Sequence, residues 1–255
     1  MICNLQFVGY GSIIGGFGGV CQEFKVDKDN KQIVLKHDLL NEVTKKFESI
    51  DEHRFLNSCL EGTYQRELLA SEKYYPMNVE SYARKQSISL GKAFTELTEL
   101  VTKYKETTLK IPLDDNTIWH TSIIYDFITD KSSNTIQVRF NKKIIPLISG
   151  DMEKGKYCLY DGRLDVIPSN RRYLMGELIQ RNIWKLEKYG FFILHVAEIR
   201  EKIGLLSTEY IDFKDLNRCI IQASIKDVKK QLDIHIKARG SVRKGVKFES
   251  TTTSL

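Results

Sequence analysis

One stretch of this 255-residue chain occurs twice, and that duplication limits the possible folds more than any composition figure does. From Tyr75 the sequence reads YPMNVESYARKQSISLGKAFTELTELVTKY, and from Phe192 it reads FILHVAEIREKIGLLSTEYIDFKDLNRCIIQA. Each passage opens on an apolar alternation, Tyr75/Met77/Val79 in the first and Phe192/Leu194/Val196 in the second. Alternation puts every second side chain on one face of a strand. A short helical pattern follows in each, then a Gly or Ser break, then a second amphipathic helix. In that second helix Phe94, Leu97, Val101 and Tyr104 correspond to Phe213, Leu216, Ile220 and Ala223, with the same steps between them. Such steps line one helical face. Strand, helix, turn, helix is the kernel of a winged helix-turn-helix. The sequence therefore predicts an α+β chain of two tandem winged helix-turn-helix domains, and a chain able to grip two segments of a DNA duplex.

The boundaries follow from composition. Residues 1–32 form a glycine-rich arm, 33–149 the first winged-helix domain, 150–250 the second, and 251–255 a frayed tail. In the arm, Gly9, Gly11 and Gly15 imitate a dinucleotide loop. Gly16, Gly18 and Gly19 would break the helix that such a loop must open, so no nucleotide cofactor is expected. Past Val34, a short helix is expected over 39–46. Ser49 caps a second one with Glu52 at the capping-box position, turning Phe55, Cys59 and Leu60 inward. Helices are expected over 79–86 and 90–105, the latter capped by Ser89. Strands over 117–127 and 135–140 flank the turn DKSSN. Gly150 and DMEKGK mark the boundary between domains. In the second domain Ser169 caps a helix over 170–187 that buries Tyr173, Leu174, Leu178 and Ile179. A strand (191–196), a helix (197–203) and a long helix (212–231) follow. Two last strands, 232–238 and 242–248, turn through Arg239-Gly240 to make the wing.

Several function classes drop out. No apolar run reaches the length of a membrane span, and the first residues lack a secretory signal, so a cytoplasmic protein without membrane contact is expected. The five cysteines are scattered without a CxxC, which fits reduced thiols rather than a disulfide framework. The five histidines, His37, His53, His120, His195 and His235, show no metal-ligand spacing. A rolling-circle nickase needs a His-apolar-His metal pair beside its tyrosine, and none occurs. No enzymatic activity, metal or cofactor is expected.

Charge is distributed unevenly. The net +6 lies wholly in residues 149–255, with 20 basic and 14 acidic residues; residues 1–148 carry 19 of each. Residues 226–247 alone hold eight basic and two acidic residues. On the long helix the face opposite the apolar stripe presents Lys214, Arg218, Gln222 and Lys229. Lys and Arg can meet phosphates or guanine edges, and Gln can pair with adenine. The hairpin adds Lys237, Arg239, Arg243 and Lys244, a density that suits a wing along a phosphate backbone. Arg171 and Arg172 occupy a first helical turn, where cations oppose the helix dipole, so they are expected to face phosphates. The matching face of the first domain, Lys92, Thr95 and Lys103 with Glu96 and Glu99, is electrically mixed. That domain is expected to bind DNA more weakly or to pair subunits.

In collinear order the chain resembles the replication initiator (Rep) proteins of iteron-containing theta-replicating plasmids, over about residues 33–250. The segments carrying the likeness begin with KHDLLNEVTKKFESIDEHRFLNSCL and MNVESYARKQSISLGKAFTELTELVTKY. IWHTSIIYDFITDKSSNTIQVRFNKKIIPLI follows, then FKDLNRCIIQASIKDVKKQL with KARGSVRKGVKFE. The resemblance implies an initiator that binds repeated origin sequences as a monomer. It also implies a homodimer, joined through domain 1, that represses its own gene, and host initiator and replicative helicase as partners. Two segments depart from the family pattern: Leu174-Met-Gly-Glu-Leu-Ile179, and Arg218 followed by Cys219 instead of paired arginines. A dimeric winged-helix repressor without initiator activity shares every motif and is the alternative expectation.

Overall fold

The structure is a computed structural model that describes residues 33–44, 46–47, 49–61, 69–112, 114, 116–149, 157–241 and 243–251. The arm, the DMEKGK boundary and the tail past residue 251 lie outside the described residues. The elements run β1 (Ile33–His37), α1 (Asp38–Thr44), α2 (Ile50–Leu60), β2 (Tyr75–Pro76), α3 (Val79–Gln86) and α4 (Leu90–Glu106). Then come β3 (Leu109–Pro112), β4 (Ile118–Thr121), β5 (Ile124–Asp130), β6 (Thr135–Phe140) and α5 (Ile145–Ser149). After β7 (Tyr157–Asp161) and a 3-10 turn over Gly162–Val166 follow α6 (Asn170–Tyr189), β8 (Phe191–Leu194) and α7 (Val196–Lys202). The chain ends with α8 (Phe213–Leu216), a π-helical turn (Asn217–Ile221), α9 (Gln222–Leu232), β9 (Ile236–Ser241) and β10 (Gly245–Ser250).

The duplication is real in space. Each copy builds a three-stranded antiparallel sheet with the same order, β2-β6-β5 in one and β8-β10-β9 in the other. In each, the short strand that precedes the helix pair forms the edge. Local chemistry explains the helix starts. Ser49 Oγ accepts from Glu52 N at 3.4 Å while Glu52 Oε2 accepts from Ser49 N at 3.3 Å, closing the expected capping box. Ser89 caps α4 by accepting from Lys92 N. Ser169 precedes α6 in extended conformation but makes no capping hydrogen bond. Apolar faces do the rest: Phe94, Leu97, Val101 and Tyr104 are all buried, as are Tyr173, Leu174, Leu178 and Ile179. Fully burying one such side chain contributes about 1.5–3 kcal/mol.

Three local expectations are corrected. Along the last long helix Leu216 and Ile220 are buried as expected, but Ala223 is half-buried and Ser224 is buried in its place. The π-helical turn supplies the reason. It holds one residue more than an α turn, which displaces the stripe beyond it. The wing turn lies past Ser241, not at Arg239-Gly240. Gly240 sits mid-ladder opposite Val246. A Cβ there would meet Gly245 O at 2.3 Å, so this glycine permits a close strand approach instead of a turn. Finally, β3 pairs with β4 in a hairpin that the sequence pattern did not separate from its surroundings.

Two apolar cores form, one from Val34 to Tyr160 and one from Leu164 to Phe248. β7 belongs to the first: its residues pair antiparallel with β1, Val34 opposite Tyr160. Between the cores lies a buried polar joint. Lys85 Nζ donates to Asp165 Oδ2 at 2.8 Å and also to Glu61, and these side chains are all at most 7% exposed. Asn57 Nδ2 donates to Asp165 Oδ1 at 2.6 Å and to Tyr173 Oη at 2.7 Å. Tyr173 Oη and Lys36 Nζ both donate to Glu177 Oε1 at 2.7 Å. Burial drives the Glu61 carboxyl above its usual range even though Lys85 pulls it down. Burial also works against the Lys85 ammonium, but Asp165 and Glu61 outweigh it and raise its pKa.

His53 is fully buried in the same joint, between the rings of Phe47 (5.0 Å) and Tyr173 (4.9 Å). Burial, reinforced by the Lys36 cation, holds its imidazole well below the usual 6.5. The unfolded chain therefore takes up a proton below about pH 6.5 that the folded chain refuses. Stability is present above that pH and is lost as pH falls, by up to about 1.4 kcal/mol per pH unit. Urea midpoints at about pH 7.5 and about pH 5.5 should show this fall, and His53→Leu should reduce it. An equal fall in both proteins would exclude His53 as its source.

Candidate nucleic-acid interface

The second unit presents its long helix and its hairpin outward together. Asp212 caps the helix by accepting from Lys214 N at 2.8 Å. Leu216, Ile220, Ile221, Ser224, Ile225 and Val228 face the second core. Turned away from that core, Lys214, Arg218 and Lys229 are exposed. Arg218 pairs with Asp215 at 2.8 Å, but both side chains are more than half exposed. A pair in that setting contributes about 0–1 kcal/mol and yields readily to a stronger anion.

Gln222 does something else. Its Nε2 donates to Asn217 Oδ1 at 3.2 Å and to Ala238 O at 3.1 Å. It ties the helix to the wing strand β9 rather than standing free toward a base edge. This tie crosses the π-helical turn, so the turn and the wing are held as one piece.

The wing itself is cationic. Lys237 and Arg239 on β9 alternate with buried Ile236 and Ala238, and Arg243 and Lys244 stand exposed at the tip. Lys247 hydrogen-bonds Glu249 and, with Lys237 and Arg239 nearby, holds that carboxyl below its usual range. That single acid is thus outnumbered on the outer sheet face.

Arg171 and Arg172, expected at phosphates, make ion pairs within the chain and stay partly exposed. Arg171 donates to Ile203 O at 3.1 Å and to Glu209 Oε2 at 3.3 Å. Arg172 Nε donates to Asp227 Oδ2 at 2.8 Å, fastening α6 to α9. Acids supplied from distant positions compensate these arginines at a helix start.

The first unit repeats the architecture without the charge. On α4, Lys92 is exposed, with Glu96 at 3.7 Å, and Thr95 Oγ1 bonds back to Gly91 O at 3.0 Å. Lys103 Nζ donates to Glu52 Oε1 at 2.8 Å, bracing α4 against α2. At the tip between β5 and β6, hydrogen bonds from Ser132 and Ser133 lower Asp130 to about 2. Asp130 stands beside the exposed Lys131, so this wing tip carries no cationic excess, unlike the tip with Arg243 and Lys244. Among the described residues no helix is long and apolar enough to cross a membrane, and no group of His, Cys, Asp and Glu has metal-ligand geometry.

Sequence reasoning missed the role of Gln222 and the partnerships of Arg171 and Arg172. Little local signal announces them, because Ala238, Glu209 and Asp227 each lie in another part of the fold. The serine-aspartate turn DKSSN was a readable cue to the neutralised first wing.

Residues 25–161 match the family described as "Initiator Replication protein, WH1". A crystal structure of Pi initiator protein in complex with iteron DNA superposes with a TM-score of 0.65 at 17% identity, covering 87% of this chain and 98% of that one. The WH1 domain of MSBI1.176, a replication protein isolated from a multiple sclerosis patient, matches at a TM-score of 0.35 and 10% identity. That match covers 43% of this chain and 86% of that domain, and it is too loose to define a fold. No curated protein matches the chain.

Proposed function

Since the chain belongs to the initiator replication protein family, we propose that it starts plasmid DNA replication by binding repeated origin sequences. One observation carries the reading. Two equivalent winged helices share one rigid joint, and the second turns an exposed cationic helix face and wing outward. The resemblance in fold to a protein solved on iteron DNA supports the same reading. In this reading Lys214, Arg218, Lys229, Lys237, Arg239, Arg243 and Lys244 meet the duplex, with Gln222 as the strut behind them. Lys92 and Thr95 offer a weaker second contact from the first unit, whose mixed charge also suits pairing with a second copy. The protein performs no bond chemistry of its own and works in the cytoplasm. It hands the opened origin to host initiator and helicase.

Footprinting of the full chain on DNA flanking its gene tests this. Two reading helices one turn apart should protect regular repeats of roughly 20 bp. Uniform or absent protection at low salt would reject sequence-specific origin binding.

A further inference from the structure

Charge does not account for one exposed side chain beside the reading helix. Ile211 is the most exposed large apolar residue among those described, at 79%. Its neighbours are pinned. Tyr210 and Phe213 pack on the second core. Arg200 donates to Tyr210 O at 2.8 Å, Leu206 O at 2.9 Å and Glu209 O at 2.7 Å, holding the preceding loop in one shape. Asp212 is fixed by its capping bond from Lys214 N. Tyr210 adopts φ 45°, a left-handed conformation that strains a non-glycine residue and persists only where surroundings impose it. Ile211 thus cannot fold back onto the protein, and its branched side chain is stiff. The chain holds a rigid apolar knob one residue before the cap of the helix that exposes Lys214 and Arg218.

A major groove presents one apolar group on its base edges, the C5-methyl of thymine. We propose that Ile211 seats against that methyl group and so helps choose the sequence bound. The proposal rests on the DNA reading above. A protein partner is a poorer occupant, because Leu206 and Ile211, the exposed large apolar side chains of this loop, offer far less area than a stable protein interface. On the helix that follows, the exposed Lys214 and Arg218, with Asp212 and Asp215 between Ile211 and Arg218, give the groove's phosphates a cationic partner on this side.

The test uses the full chain on its footprinted repeat, with each thymine replaced in turn by deoxyuridine. That change removes only the methyl group and keeps the base pairing. At one position the wild-type affinity should fall about fourfold, the weight of one buried methyl-sized group. Ile211→Ala should bind the unmodified repeat more weakly and lose this sensitivity, while keeping its thermal midpoint and the same salt slope, since no phosphate contact is removed. Insensitivity of the wild type at every position would overturn the assignment. So would equal sensitivity in Ile211→Ala, or a shifted midpoint or slope in that variant. If the wild type binds no repeat at all, the initiator reading fails instead.

Discussion

Neutralising the second wing, as Arg239→Gln, Arg243→Gln and Lys244→Gln together, is expected to weaken DNA binding about 10²–10³-fold at 0.1 M salt. The wild-type chain, if it neutralises about 6–10 phosphates, should itself lose about 10³–10⁵ in affinity between 50 and 200 mM salt. Each cation removed from a phosphate should make the log–log slope shallower by about 0.9. All three side chains are exposed. None makes a side-chain ion pair among the described residues. The fold should therefore survive, and near-identical circular dichroism and thermal midpoints would establish that it has. Salt titration of binding to the footprinted repeat measures the effect. An unchanged slope would remove the wing from the interface.

The second large effect concerns stability. Lys85→Ala should destabilise the protein by about 3–5 kcal/mol, because it strands Glu61 and Asp165 together without a countercharge. Both carboxylates are 1% exposed, so water cannot take over the role of the ammonium. The urea midpoint reports the loss. Adding Glu61→Gln and Asp165→Asn to Lys85→Met removes the charges together and should restore most of it. A single-variant loss below about 1 kcal/mol would mean that the joint relaxes to admit water.

Much of this was legible in the sequence wherever the cause was local. The repeated stripe Phe94/Leu97/Val101/Tyr104, the Ser49–Glu52 capping box and the Ser89 cap all depend on neighbours within one or two turns. The charge excess of residues 226–247 translated directly into an exposed wing. What escaped depends on distance. β1 finds β7 across the whole first unit, with no pattern to foretell it. The acids that pair with Arg171 and Arg172, Glu209 and Asp227, sit far along the chain and left no mark beside the arginines. The π-helical turn defeats any reading at uniform helical pitch, which is why Ala223 and Ser224 exchange roles. Gly240 looked like a turn residue because glycine marks both turns and close approaches.

The joint between the two units is made of directional bonds. Apolar surfaces tolerate sliding, whereas donors and acceptors 2.6–2.8 Å apart keep one alignment. For a reader of a helical template this sets an angular phase. Each base pair rotates the duplex by about 34–36°, given 10–10.5 base pairs per turn. Two heads clamped at a single dihedral match one separation between the segments they grip, and a separation one base pair longer presents the second segment at the wrong azimuth. On the proposed reading, in which both heads grip one duplex, the accepted spacing would be set by Asn57, Lys85 and Asp165, which lie buried between the heads.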